Sequence, residues 1–270
     1  MSDYTTLKIE KDGAVDWVTL NRPEQMNALN TTLVDELLDY FGKLYWNQAV
    51  RIVVLRGAGR AFCAGLDLKE GSNNSGGGIG GNTPQHGLRT QRRISEIVMR
   101  MRRCPQPIIS LVHGPACGGG FALALASDIR IAGQSARMNA AFIRIGLSAC
   151  DIGVSYFLPR LVGVSVASEL MLTGRFIKAD RAERTGLVSE VVPDEKLAEA
   201  AAPYIEEMLT TAPLGLRLTK ECLNMNIDAG GLEAAVAMED RNQILCSQTA
   251  DVGEGVRAFL EKRRPVYADR

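Results

Sequence analysis

Histidine is scarce in this sequence: His86 and His113 are the only two among 270 residues. The cysteines Cys63, Cys104, Cys117, Cys150, Cys222 and Cys246 are scattered, with no Cys-x-x-Cys pair. That leaves little from which to build a metal site or a disulfide framework, and reduced thiols suit a cytoplasmic setting. Net charge is missing as well. Lys and Arg number 31 and Asp and Glu number 31, so nothing draws the whole chain towards nucleic acid or an anionic membrane. No apolar run approaches the roughly 20 residues of a membrane span. The opening Met-Ser-Asp-Tyr-Thr-Thr-Leu-Lys lacks the basic and apolar parts of a secretory signal. No Walker A sequence occurs. Gly76-x-Gly78-x-x-Gly81 imitates a dinucleotide fingerprint but follows no strand and opens no helix directly. Gly57-x-Gly59 does follow a predicted strand, yet Phe62 stands where the third glycine belongs, which counts against a nucleotide-dependent oxidoreductase. What is present, 46% hydrophobic and 23% charged residues, suits one large or two modest globular domains.

The residues that are present alternate between strand and helix patterns. Leu7 to Leu20 alternates apolar and polar residues around Asp12-Gly13, the signature of a hairpin. Asn30 or Thr31 can cap an amphipathic helix through Leu33, Val34, Leu37, Leu38 and Phe41. Residues 51–56 form a β-branched run that predicts a strand, and residues 84–104 predict a helix rich in arginine. That helix carries Arg89, Arg92, Arg93, Arg100, Arg102 and Arg103, which either face solvent or meet phosphates. Two helices are predicted over 154–162 and 164–172 and a short strand over 187–192. From Glu195 onward the pattern is wholly helical. The fold class is α/β, with ββα-type repetition.

One stretch organises the rest. Ile108 to Val112 reads as a buried strand, His113-Gly114-Pro115 breaks it, and Gly118-Gly119-Gly120 opens the apolar helix Phe121-Ala-Leu-Ala-Leu-Ala126. Glycines at the mouth of a buried helix offer unpaired N–H groups, the positive end of the helix dipole and no side chain in the way. They also serve simply to let a helix pack closely on a sheet. A second glycine-bearing turn, Gly57-Ala-Gly-Arg-Ala-Phe-Cys-Ala-Gly-Leu66-Asp67-Leu68, follows the preceding strand, and Asp67 with Glu70 can cap a helical turn there. Two such turns on consecutive strands can aim one N–H each at a single oxygen.

With Asn21-Arg-Pro-Glu-Gln-Met-Asn-Ala-Leu-Asn30, Ala61-Phe-Cys-Ala-Gly-Leu-Asp-Leu68, Val112-His-Gly-Pro-Ala-Cys-Gly-Gly-Gly120 and Leu172-Thr-Gly-Arg175 in order, the chain resembles the enoyl-CoA hydratase/isomerase (crotonase) superfamily. The similarity runs from about Leu7 to Pro265. It implies a crotonase-like spiral of ββα repeats over 1–200 that binds acyl-CoA. It also implies a helical, oligomerising region over 201–270 and a homotrimer or homohexamer. No separate cofactor is implied, since coenzyme A enters as part of the substrate. The resemblance places an oxyanion hole at the backbone N–H groups of Leu66 and Gly119. It puts Arg22, Ala28, Ala64, Asp67 and Leu68 along the pantetheine and nucleotide of coenzyme A, with Gly118 and Phe142 also among the residues that bind the substrate. Phe259 and Lys262 fall near the adenine end, in some members that of a neighbouring subunit.

The sequence departs from the family's hydratases at the acid/base positions. Where those enzymes carry two glutamates, this chain has Ala122 and Phe142, neither able to hold a proton. Asp151 remains, at the place where other branches of the superfamily use an aspartate. It is either the acid/base or an N-cap whose pKa the helix dipole lowers. The histidine base that the dehalogenase branch needs is absent, with Ser95 near its place. His86 reads as a surface residue and His113 as one that orients backbone. Cys117 and Cys150 border the site without a histidine partner and read as inert. The reading that follows is an enzyme that makes or quenches a thioester enolate, with an isomerase-type proton shuttle on Asp151. Hydration by Asp151 and a second group is one alternative, and a non-catalytic acyl-CoA or RNA binder is another. The acidic first helix, with Asp35, Glu36 and Asp39, argues against RNA.

Overall fold

Strands β1 (Leu7–Asp12) and β2 (Val15–Leu20) pair antiparallel, Leu7 opposite Leu20 and Asp12 opposite Val15. Gly13 turns between them at φ +57°, as Asp12-Gly13 predicts. This computed structural model describes residues 4–73 and 83–270, so Gly76, Gly78 and Gly81 lie outside the described residues. β2 is followed by parallel neighbours β3 (Ile52–Gly57) and β4 (Ile108–Val112). A short β5 (Pro115–Cys117) comes next in the chain, then β6 (Ile129–Gly133), β7 (Arg137–Asn139), β8 (Ile177–Lys178) and β9 (Glu190–Val192). The large sheet runs β1-β2-β3-β4-β6-β9 and the small one β5-β7-β8.

The helices are α1 (Thr31–Leu44), α2 (Leu68–Asn73), α3 (Pro84–Arg103), α4 (Gly119–Ala126), α5 (Val154–Thr173) and α6 (Ala179–Arg184). They are followed by α7 (Leu197–Leu209), α8 (Pro213–Asn226), α9 (Leu232–Ser247) and α10 (Ala250–Leu260). Each central repeat puts one strand in the large sheet, one in the small sheet and then a helix, which is the spiral of ββα turns. The predicted helices over 154–172 are α5, broken at Gly163 (φ 77°, ψ 159°). β5, β7 and β8 span two or three residues each, too short for any periodicity to declare them in the sequence.

The large sheet is covered on both faces, so its strands are apolar almost throughout. Val53, Leu55, Ile108 and Val112 join the main core with Leu33, Leu37 and Phe41 of α1 and Ile94, Ile97 and Met101 of α3. Their alternate neighbours Ile52, Val54, Ile109 and Leu111 face Leu197 and Ala201 of α7. The helices start where side chains satisfy orphan N–H groups: Asn30 accepts from Leu33 and Thr83 from His86. The expected division at residue 200 falls inside α7, which packs on β4 and β6 and ends where the Arg51 guanidinium binds the carbonyls of Leu209 and Thr211 at 3.0 and 2.7 Å.

Helix α8 is fastened to this core by one buried cation. Lys220, 5% exposed, donates to the Gln106 carbonyl at 2.7 Å and pairs with Asp128 at 2.8 Å. Asp128 also accepts the Ile108 N–H at 2.8 Å, so the ammonium sits where β4 begins. Replacing Lys220 by Met removes the charge that Asp128 and two carbonyls were built around. The variant is expected to lose roughly 3 kcal/mol of stability, the low end for breaking a buried pair, because Asp128 keeps some solvent. Urea unfolding of both proteins measures this; an unchanged midpoint would show that α8 is held by its apolar contacts instead.

Candidate active site

Two backbone turns meet behind α4. The first descends from β3: Phe62 N–H donates to the His113 carbonyl at 2.9 Å, Cys63 N–H to Pro115 at 3.1 Å, and Cys117 N–H returns to Cys63 at 3.0 Å. Beyond this miniature ladder, Leu29 N–H binds the Gly65 carbonyl at 2.7 Å and Asp67 N–H binds the Leu29 carbonyl at 3.0 Å. These bonds use the groups on either side of Leu66 and none of its own N–H, which has no acceptor among the described residues. The second turn is the glycine triplet. Gly118 holds φ 50°, ψ −115°, and its N–H binds the Asn139 carbonyl at 2.9 Å. Gly119 then opens α4, where an N–H has no carbonyl four residues back.

The turns touch through their glycines. A Cβ on Gly120 would lie 2.1 Å from the Cys63 carbonyl oxygen, and one on Gly65 would lie 2.7 Å from that of Cys117 and 3.6 Å from the Gly119 nitrogen. Leu66 follows Gly65 and Gly119 opens the fully buried α4, so two N–H groups without an acceptor among the described residues lie on turns that touch. Two unpaired donors on touching turns are the kind of group that an oxyanion requires. Phe142 is buried with its ring against Gly118, and Ala122 is wholly buried. No carboxylate stands at either position.

Asp151 lies on the loop that leads into α5. The next residue, Ile152, has φ +47°, a left-handed conformation that is costly for a β-branched side chain. Its Cδ1 packs at 3.5 Å from where a Cβ on Gly119 would stand, which places the loop against the glycine turn. Asp151 is not the helix cap: Gly153 occupies that position at the start of α5 and no side chain caps it. Nor is its pKa lowered. Burial pushes the half-buried Asp151 carboxyl above its ordinary range, against the pull of the Ile152 N–H and the Gln91 amide. The dipole expectation fails because the carboxyl accepts its own neighbour's N–H, at 2.8 Å, rather than the unpaired groups of the helix end. Gln91, on α3, donates through Nε2 to Asp151 Oδ1. Sequence reasoning passed over Gln91, since a lone amide on an arginine-rich helix carries no signal until the loop is folded onto it.

The other candidates divide. Arg22 pairs with Asp67 at 2.9 Å, both largely buried, and its second nitrogen binds the Ala28 carbonyl. Against the cost of burial, Arg22 and the amides of Glu70 and Lys69 hold the Asp67 carboxyl below its usual range. These residues therefore lock the Leu66 turn to the segment before α1, while Ala64 N–H binds the Met26 carbonyl at 2.9 Å and Leu68 stays exposed. Phe259 and Lys262 are not brought to the hole by this chain. Phe259 is 83% exposed at the end of α10, and Lys262 lines a cavity with Pro203, Glu206 and Arg264. The arginines of α3 are largely spent inside the molecule: Arg93 on Asp35, Arg100 and Arg103 on Glu96, and Arg102 on Asp128. His113 orients backbone as expected, with Nε2 2.8 Å from the Gly59 carbonyl. Burial pushes the Cys117 thiol up to about 11, so it is inert at neutral pH. A cavity of about 710 Å³ beside Gly57, His113, Ser135 and Arg137 includes none of Leu66, Gly119 or Asp151, so its size does not make it the reaction site.

Comparison with known proteins converges on one family. A family model described as enoyl-CoA hydratase/isomerase matches residues 10–270. The probable enoyl-CoA hydratase EchA12 of Mycobacterium tuberculosis is 42% identical over 258 residues, covering 93% of this chain and 88% of that protein. The 1,2-epoxyphenylacetyl-CoA isomerase of Escherichia coli is 35% identical over 270 residues and covers both chains completely. Among solved structures, an enoyl-CoA hydratase from Bacillus anthracis superposes with a TM-score of 0.91 at 34% identity, covering 98% of this chain and 100% of that one.

The glycine contact is open to a direct test. Gly120→Ala drives a methyl into the Cys63 carbonyl and is expected to cost about 3 kcal/mol or more, since both partners are backbone and cannot move aside. Gly146→Ala is the control: its φ is +85° but a Cβ meets nothing within 4 Å, so the cost is about 1 kcal/mol. Equal thermal shifts for the two variants would refute the close-contact argument.

Proposed function

The chain belongs to the enoyl-CoA hydratase/isomerase family, an enzyme of the lyase or isomerase kind with a crotonase fold, and from that premise we propose an isomerase-type reaction on an enoyl-CoA thioester. The reading is supported by one half-buried carboxyl, Asp151, whose neighbour Ile152 packs against Gly119, and by the lack of a carboxylate at Ala122 and Phe142. In this reading the thioester oxygen accepts from Leu66 and Gly119 N–H. The Asp151 carboxylate takes a proton from the α-carbon, and the electron pair moves onto the oxygen as a dienolate. The same carboxyl then returns the proton to the γ-carbon, so the double bond moves and the enzyme ends as it began. A positioned hydrogen-bond donor of this kind is worth roughly 3–4 kcal/mol in the transition state. A carboxyl whose proton affinity is raised by burial is better matched to taking and returning a carbon-bound proton near neutral pH than an ordinary one. Arg22, Ala28, Ala64, Asp67, Leu68 and Gly118 form the wall along which the thioester arm runs.

Hydration of a 2-enoyl-CoA is the second reading, favoured by the hydratase names of relatives such as EchA12. It needs Asp151 and Gln91 to hold the water together, with a single group moving its proton. RNA binding draws no support from α3, whose arginines mostly meet carboxylates of this chain. The apolar residues exposed on the last three helices, Leu223, Leu232, Ile244 and Leu260 among them, fit a homotrimer or homohexamer in which Phe259 and Lys262 serve a neighbour's site. Among the described residues no helix is long and apolar enough to cross a membrane.

Turnover of 3-hexenoyl-CoA, crotonyl-CoA and aryl-CoA thioesters tests the assignment: double-bond migration without water uptake is expected, and efficient hydration of crotonyl-CoA independent of Asp151 would overturn it. Asp151→Asn adds a sharper prediction. Activity is expected to fall by about 100-fold or more while acyl-CoA affinity holds, because the amide cannot exchange a proton. Stability is expected not to fall. A carboxyl whose folded pKa lies above its ordinary 3.8 costs stability when ionised; the cost is full above the folded pKa and gone below about 3.8. The variant's advantage should therefore be present at neutral pH and fade on acidification, a trend that paired denaturation curves read directly. An Asp151→Asn enzyme with unimpaired kcat would leave only an acyl-CoA-binding fold. Gly119→Pro deletes one donor of the hole, and a folded variant with near-normal kcat would remove Gly119 from the mechanism.

A further inference from the structure

The two oxygens of Asp151 are treated unequally. Oδ1 accepts both the Ile152 N–H, at 2.8 Å, and the Nε2 of Gln91. Oδ2 has no protein partner among the described residues. We propose that Gln91 is the positioning residue of proton transfer, holding Oδ1 so that Oδ2 is the atom that takes and returns the substrate proton. This rests on the reading of Asp151 as the acid/base.

The geometry gives the reasons. One donor comes from the loop itself and the other from a separate helix, so together they fix the carboxyl plane, which the Ile152 N–H alone does not. Gln91 stands on a rigid element: Ile94, Ile97, Val98 and Met101 are buried along α3, and Arg93 and Arg100 tie it to α1 through Asp35 and the Leu38 carbonyl. Ser95, one turn along, is 3.5 Å from the Gln91 amide and steadies it. The neutrality of the donor matters as much as its position. A lysine or arginine there would hold the carboxyl as the anion and weaken its affinity for a proton, while a glutamate would compete for that proton. An amide donates and stays uncharged, leaving burial to raise the proton affinity of Oδ2. The charged neighbours on α3 are the exposed Arg92 and the Asp35-paired Arg93, and the titratable neighbour in the loop is the exposed Cys150. None of them figures among the groups that act on the carboxyl, which are burial, the Ile152 N–H and Gln91.

The test is a double-mutant cycle on the full-length enzyme with 3-hexenoyl-CoA, or the fastest thioester of the panel. Gln91→Met keeps length and loses the donor. It is expected to lower kcat by about 10-fold with KM within about 2-fold, and to cost nothing further in an Asp151→Asn background. Gln91→Glu restores the donor only while its own carboxyl is protonated, so it should work at low pH and fail as that proton leaves, a limb absent from the parent profile. Unchanged kcat in Gln91→Met with Asp151→Asn impaired would overturn the positioning role alone. Equal losses in both backgrounds would make Gln91 a structural residue and overturn it equally. Full activity in Asp151→Asn would remove the acid/base and Gln91 with it. If Gln91→Met does not fold, a Gln91→Glu profile no different in shape from the parent's overturns the proposal by itself.

Discussion

The structure depends on two backbones approaching closer than any side chain permits. Gly120 lies against the Cys63 carbonyl and Gly65 against that of Cys117, so the turn after β3 and the turn after β4 are in direct contact. Close packing of this kind leaves no room to relax, because carbonyls in a hydrogen-bonded ladder cannot rotate away. The gain is that the turns carrying the unpaired Leu66 and Gly119 N–H groups are held against each other without reorganisation. Such groups are worth most where water is excluded, and α4 behind them is buried at every residue. The parallel order of β3 and β4 makes the arrangement possible, since it brings both turns to the same end of the sheet.

Carboxylates elsewhere in the fold are paired with cations, which sets one carboxyl apart. Asp67 is neutralised by Arg22, Asp128 by Lys220 and Arg102, and Glu96 by Arg100 and Arg103. The half-buried Asp151 has no cation among its partners within the described residues, and burial raises its proton affinity where that of Asp67 is held down. The strained Ile152 marks the same spot from the backbone side. A residue held in a costly conformation against the glycine turn fixes the loop that carries the carboxyl, at the expense of local stability.

Much of this was legible beforehand. The Asp12-Gly13 hairpin, the Asn30 cap, the apolar face of α1, the buried strands and the all-apolar α4 follow from period, turn chemistry and capping, which are local properties. Collinear motifs identified the family and pointed to Leu66, Gly119 and Asp151 as residues to examine. Where local reasoning went astray, a distant segment had intervened. The N-cap alternative for Asp151, kept beside the acid/base reading because the residue precedes a helix, fails because burial and the approach of α3 set its environment. The arginines of α3 read as an open basic face until Asp35, Glu96 and Asp128 fold against them.

By itself, then, the sequence determined the order and kind of the elements, the glycines that a close approach requires, and the absence of carboxylates at positions 122 and 142. Those are properties of neighbouring residues or of residue identity, and they survive without knowledge of the fold. Only the tertiary structure decided that the turns of Leu66 and Gly119 touch, that Gln91 meets Asp151 across 60 residues of chain, and that Arg22 is committed to Asp67. Each is a contact between segments far apart in the chain. Hydrogen-bond donors and charges acquire a partner, and a proton affinity, only when packing removes the water that would otherwise satisfy them.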